Sequence, residues 1–302
     1  MLSRRSLLLT PLAATVARAA VAQNAPAGRM LLAMHQNTSS AAGFRGSLEG
    51  WARAGIRYVE LGAPLLADFL RTDTLPAARR LLEDLDMTPV SAAVVLQDLW
   101  LPGPERAESL EAWRRACDQF ADLGLQRIYS PSVTSRPVTA DDFAATPECI
   151  REAGDIAQEY GLTTMIEFTR ASTHLATLTS SLAVIREAAH PGVRPMLDFF
   201  HFWSGLSKFE DLDLLEPGEL AHAHFQDLLE GPRELIDNDS RIIPGDGIAP
   251  VERILRKLAE KEFTGALSVE LFRAEYQQGD PFEVATETVS YTHLTLPTKR
   301  IV

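Results

Sequence analysis

Four residues able to hold one metal ion stand at the ends of four short apolar runs in the second half of the chain. Glu167 ends LTTMIEF, Asp198 ends VRPMLDF, His224 ends LAHAHF and Glu270 ends ALSVEL. An acid at the end of a buried strand needs a partner, because an unpaired buried charge is costly. Four such positions in register point to a shared cation. Three carboxylates and one imidazole suit a divalent ion such as Mn²⁺, Zn²⁺, Co²⁺ or Mg²⁺, and the donor set does not choose among them. Taken singly, each residue has a plainer reading. A lone strand-end Glu is ordinarily a surface or helix-capping acid, and His222 competes with His224 for its place. Strand alternation puts both imidazoles on one side. His224 is preferred because it lies at the strand end, three residues before Asp227.

The elements that must carry these residues alternate along the chain. Strand-like runs fall at 30–35, 58–61, 89–94, 127–130, 163–168, 194–199, 221–225 and 266–271, with helix-like segments between them. Such alternation predicts a parallel sheet covered by helices. Eight βα units in this length predict a single-domain α/β fold, a (β/α)8 TIM barrel, over 29–288. Barrel strands bring their C-terminal ends to one mouth, where the four residues would converge. Their gaps of 31, 26 and 46 residues are single-unit lengths, the longest with a loop insertion. Helical stripes such as Leu110, Trp113, Cys117, Phe120 and Ala121 are packing features. Pro147 reads as a first-turn residue of a helix starting near Thr146. An open doubly wound sheet is the competing fold, but the first strand leads into His35-Gln36-Asn37-Thr38, with no GxGxxG turn.

Both ends read differently from the body. Residues 1–22 carry the Arg4-Arg5 pair, an apolar stretch from Leu7 to Val16 and the cleavage pattern Ala20-Val21-Ala22. This is the pattern of a twin-arginine export signal, which predicts a periplasmic protein released from the membrane after cleavage. The segment 289–302, VSYTHLTLPTKRIV, reads like a translated DNA-sequencing adapter. On that reading the last helix, opening at Asp280-Pro281, is truncated near Thr288. The formal net charge is -12, and it becomes -17 once the three arginines of 1–22 and Lys299–Arg300 are set aside. So acidic a body repels phosphate backbones, which argues against nucleic acid as a partner. Cys117 and Cys149 form no metal motif and read as two buried free thiols.

From about residue 29 to 288 the chain resembles the sugar phosphate isomerase/epimerase superfamily, with its xylose isomerase-like barrel, and within it the inosose (2-keto-myo-inositol) isomerases. The segments that carry the resemblance are His224-Phe-Gln-Asp227, Arg241-Ile-Ile-Pro244-Gly245-Asp246-Gly247 and Ser268-Val-Glu270-Leu-Phe-Arg273-Ala-Glu275-Tyr276. Ala274 replaces a proline common there. The resemblance implies the same metal set, Glu167, Asp198, His224 and Glu270. It implies a substrate-facing His201, from Asp198-Phe-Phe-His201, and an Arg241 that holds a substrate oxygen. Trp203, Arg273 and Glu60 are weaker candidates for the pocket wall. Free-ketose 3-epimerases of the superfamily carry a second Glu six residues after the first ligand, where this chain has Thr173.

What the resemblance implies is a metal-dependent isomerase or epimerase of a small keto-polyol or sugar. The metal polarises a carbonyl and acidifies the neighbouring C–H, and Glu167 and Glu270 move the proton through an enediolate. The same barrel could instead serve a catalytically silent periplasmic sugar-binding protein, or a metal-dependent hydrolase of the apurinic-site endonuclease type. Passive binding has no need of the acid pair, and the acidic body disfavours the hydrolase. A homo-oligomer is compatible with all three readings.

Overall fold

The computed structural model describes residues 30–134 and 136–295. The export-signal reading of 1–22 falls outside them, as does the end of the adapter-like segment. Eight strands close a barrel: β1 (Leu31–His35), β2 (Tyr58–Gly62), β3 (Thr88–Ala93), β4 (Arg127–Pro131), β5 (Thr163–Glu167), β6 (Val193–Asp198), β7 (His222–His224) and, after two short strands, β10 (Ala266–Val269). All neighbours are parallel and follow chain order, with β10 pairing β1 to close the ring. The helices are α1 (Gly43–Arg53), α2 (Ala63–Phe69), α3 (Leu75–Asp84), α4 (Arg106–Asp122), α5 (Ala140–Glu159), α6 (Leu178–Ala188), α7 (Phe199–Ser204), α8 (Val251–Glu260), α9 (Ala274–Gln277) and α10 (Pro281–Thr295).

The main core lies between the barrel and its helices, where Trp51, Trp113, Phe120, Ile150 and Leu255 are fully buried. Inside the barrel, side chains stack in layers because alternate residues of a strand face the same way. Met165 and Glu167, Met196 and Asp198, His222 and His224, and Ser268 and Glu270 are such pairs. Register fixes their heights: Asp198 lies opposite His224, and His224 opposite Ser268. The lower residue of each pair fills the interior and the upper one reaches the mouth.

α10 runs past Thr288 to Thr295, into the adapter-like segment. A nucleated helix adds each residue at little cost, and the hydroxyls of Thr286, Thr288 and Ser290 bond back to carbonyls one turn earlier. α10 seats closely on α1, where a Cβ on Gly50 would lie 2.5 Å from Pro281 Cβ. α5 begins at Ala140, with Thr139 and Asp142 forming its capping box, so Pro147 sits inside the helix. This corrects the first-turn reading: the capping box starts the helix upstream, and Pro147, buried within it, forgoes one backbone bond.

The stretch between β7 and α8 holds a hairpin that the sequence reading left as a loop. β8 (Asp227–Leu228) pairs antiparallel with β9 (Arg241–Ile242). The Asp227 carboxylate ties its base. Oδ1 accepts from the Leu228 and Ala249 amides and Oδ2 from those of Gly245 and Gly247, at 2.8–3.1 Å. Gly247 is required there: a Cβ would lie 2.3 Å from the Leu228 carbonyl oxygen and 2.5 Å from Asp227 Oδ1. Both cysteines are free and buried. Among the described residues no helix is long and apolar enough to cross a membrane.

Candidate metal centre

Glu167, Asp198, His224 and Glu270 meet at the barrel mouth, each offering a ligand atom within 4.8 Å of the others. His224 Nδ1 is the hub. It lies 2.9 Å from Glu167 Oε1, 3.3 Å from Asp198 Oδ2 and 3.3 Å from Glu270 Oε2. Ligands about 2.1 Å from a tetrahedral ion stand roughly 3.4 Å from one another, so this spacing fits one divalent cation. Glu167 Oε1 is buried and makes no hydrogen bond, despite its closeness to His224. An oxygen lone pair without a proton partner in such a place suits a cation.

The acids are held in different electrostatic states. Burial pushes the Glu167 carboxyl up, and nearby Asp198 and Glu270 add to the rise, against the pull of His224. For Asp198 burial acts in the same upward sense, but Arg241, His201 and His224 outweigh it and hold the carboxyl well below its ordinary range. Glu270 is likewise held low, by His224, His35 and Arg241 against burial. For His224 burial favours the neutral ring, yet Glu270, Tyr129, Glu60 and Glu167 together raise its pKa far above the ordinary value.

Arg241 reaches this cluster from β9. Its Nη1 donates to Asp198 Oδ2 and to Glu270 Oε2, both at 2.7 Å. The guanidinium lies between two rings, 4.3 Å from the centre of Phe200 and 4.7 Å from that of Phe272. Asp198 Oδ1 accepts from the His201 amide and from Gln226 Nε2, so every oxygen of this acid is engaged. His201 Nδ1 accepts from the Arg170 amide at 3.2 Å. Nε2 lies 3.3 Å from Arg241 Nη2, which can only donate, so both ring nitrogens of His201 face donors. Burial, with Arg241 alongside, lowers the pKa of His201 to about 4, so the ring is neutral at pH 7.

A cavity of about 440 Å³ opens on this cluster. Glu167, Glu270, His201 and Arg241 line it; Asp198 and His224, both 0% exposed, do not. Three other candidates lie elsewhere. Trp203 packs against Phe200, Leu228 and Ile236. Arg273 pairs at the surface with Glu275 and donates to the Asp239 carbonyl. Glu60 sits one layer below the mouth, against His222 and His224. His222 faces Glu60 at 2.9 Å, which separates it from the role of His224. Thr173 donates to the Arg136 carbonyl, away from the cavity wall.

Three residues that the sequence reading passed over share the cavity. His35 ends β1 and lines the wall with Tyr129 and Asn37. Asn37 Nδ2 donates to Glu270 Oε1 at 3.1 Å, and its amide donates to His35 Nδ1. His35 Nε2 therefore carries the ring proton, 3.3 Å from the Tyr129 hydroxyl and 3.7 Å from Glu270 Oε1. The strand-end rule that finds Glu167 also finds His35, had it been applied to the first strand.

A family model described as xylose isomerase-like TIM barrel matches residues 48–292. The chain belongs to that family. Among curated members of known name, it is 28% identical over 265 residues to an inosose isomerase of Halalkalibacterium halodurans, covering 84% of this chain and 93% of that one. It is 27% identical over 172 residues to an inosose isomerase of Bacillus licheniformis, where it spans 62% of the relative's length. A D-psicose 3-epimerase of Agrobacterium fabrum is 28% identical over 176 residues, 55% of this chain and 57% of that one. In fold it matches a crystal structure of an IOLI protein with a bound zinc atom, at TM-score 0.80 and 21% identity, over 87% of this chain and 96% of that one.

Proposed function

We propose that this chain is a divalent-metal-dependent isomerase or epimerase of a small uncharged keto-polyol or sugar. One observation carries the reading. Of the four metal-binding residues, only Glu167 and Glu270 also line the cavity, so the same two acids can meet a metal and a substrate. Two carboxylates facing one substrate can remove a proton from carbon and return one to it. The metal, when bound, supplies the positive charge that acidifies a C–H beside a carbonyl. The relatives named inosose isomerase and D-psicose 3-epimerase support the class.

The protein's own groups do the rest. The Asn37 side-chain amide is a neutral donor for a substrate oxygen, and the neutral His201 ring lines the wall beside it. Among the described residues that line the cavity, Arg241 is the permanent cation, and it is already held by two carboxylates. A phosphate would find no unengaged positive charge among them, whereas hydroxyls find Ser132, Thr169 and Asn238. The twin-arginine reading of 1–22 goes with action in the periplasm. A reporter that stays cytoplasmic when fused to that segment would remove this last point.

The test is carbon-bound deuterium. Purified protein loaded with Mn²⁺, Zn²⁺, Co²⁺ or Mg²⁺ should incorporate solvent deuterium into a keto-inositol or ketohexose. Glu270→Gln should abolish turnover while keeping part of the metal affinity. Near-normal rates in that variant would take Glu270 out of the mechanism, and substrate binding without any exchange would favour a passive receptor.

A further inference from the structure

Beneath the metal-binding layer lies a second group of ionisable side chains with no contact to the cavity. Glu60 is 0% exposed, and one oxygen, Oε2, lies 2.9 Å from His222 Nε2 and 3.3 Å from His224 Nε2. Both imidazoles are also 0% exposed. A carboxylate sealed in a barrel interior costs several kcal/mol unless opposite charge or donors compensate it. Apolar side chains would fill the same layer at no such cost, as Met165 and Met196 do beside it. Pairing of β2 with β3 slips between Val59, opposite Pro89, and Glu60, opposite Ser91, which leaves Val90 as an extra residue in β3 beside this layer.

We infer that Glu60 is a positioning residue of the metal centre: its carboxylate, 3.3 Å from His224 Nε2, draws the ring proton to that nitrogen and so leaves the Nδ1 lone pair facing Glu167, Asp198 and Glu270. The inference rests on the reading of those four residues as metal ligands. A neutral imidazole has one N–H and one lone pair. With the ring proton on the nitrogen that faces Glu60, Nδ1 is the one left to bind a cation, and an acid behind the ring makes that nitrogen more basic. His222 holds Glu60 in place by donating its own Nε2–H to the same oxygen. His224 Nε2 completes no hydrogen bond among the described residues, and Glu60 Oε2, 3.3 Å away, is the carboxylate oxygen that faces it as an ion pair. Edge contacts with Tyr129 and His35, at centroid distances of 5.2 and 5.4 Å, flank its ring.

The experiment compares wild type with Glu60→Gln and His222→Gln. Zinc affinity is read by chelator competition, the visible spectrum after Co²⁺ substitution reports ligand geometry, and melting is followed without metal. Glu60→Gln should bind zinc about 10- to 100-fold more weakly, with an altered Co²⁺ spectrum and little change in metal-free melting. A purely structural acid would instead lower that melting point. His222→Gln should weaken zinc in the same direction by less, and it decides the matter if Glu60→Gln does not fold. Unchanged zinc affinity overturns the inference. A wild-type protein that binds no zinc overturns the ligand reading and the inference with it. Zinc binding that depends on Glu60 without any substrate turnover leaves the inference standing and removes the proposed reaction.

Discussion

Arg241 carries more of the site than any other single side chain. It is 1% exposed, grips two acids of the candidate metal centre, Asp198 and Glu270, through one nitrogen and lies against the rings of Phe200 and Phe272. A lysine keeps the charge but lacks the flat fork that can stack and bond at once. Loss of one charge-assisted bond is worth roughly 1.5–3 kcal/mol, so Arg241→Lys should lower kcat/KM by about 10- to 100-fold. Wild-type kinetics in that variant would show that charge alone suffices. At this scale the sequence was informative where chemistry and position coincided. Glu167, Asp198, His224 and Glu270 were legible because an ionisable group at the end of an apolar run is physically anomalous. Tyr129 was not, since an aromatic residue within a strand looks the same whether it faces a core or a cavity. Trp203 and Arg273 had the right chemistry, but nothing in a linear pattern says which way a loop side chain turns.

At the scale of elements, the hairpin of β8 and β9 sets where Arg241 stands. Each strand has two residues, too few for any periodicity to reveal. The acid that pins it, Asp227, serves four backbone amides at once. Asp227→Asn replaces an acceptor oxygen with a donor and leaves two of those amides without a partner. We expect a cost of about 2–3 kcal/mol and a fall in Tm of a few degrees, with activity falling further because Arg241 loses its footing. Thermal unfolding and kinetics on the same preparation check this; an unchanged Tm would mean that the hairpin is held by something else. The barrel strands, by contrast, were placed within a residue or two from their apolar runs. Burial on both faces makes such strands continuous in hydrophobicity, and the turns between them carry the punctuation.

For the molecule as a whole, the closed barrel was legible because eight similar units in one chain leave few other ways to bury their strands. The continuation of α10 past Thr288 was not, because the added residues show no helical period. Whole-molecule stability should respond to acid through buried imidazoles. His174 is 2% exposed, bonded through Nε2 to Thr146 Oγ1, and burial, with Arg136 nearby, lowers its pKa to about 4. The unfolded chain protonates this ring near its ordinary 6.5 and the folded chain only near 4. Its stabilising contribution is therefore complete above 6.5 and is lost as pH falls toward 4, at up to about 1.4 kcal/mol per pH unit. His174→Gln, which can still donate to Thr146, should flatten that part of the denaturant-midpoint curve. An identical slope in wild type and variant would exclude His174 as a source.

The two cysteines add a consequence of their own. Burial pushes the Cys117 thiol up to about 12 and raises that of Cys149 as well. The attacking species in sulfur exchange is the thiolate, and almost none is present at neutral pH. Ellman's reagent should therefore find no sulfur in the native protein and both after denaturation, and rapid native labelling would contradict the burial. A chain so shielded can pass between reducing and oxidising surroundings without acquiring or losing a covalent bond, so its barrel owes nothing to the redox state of the compartment that holds it.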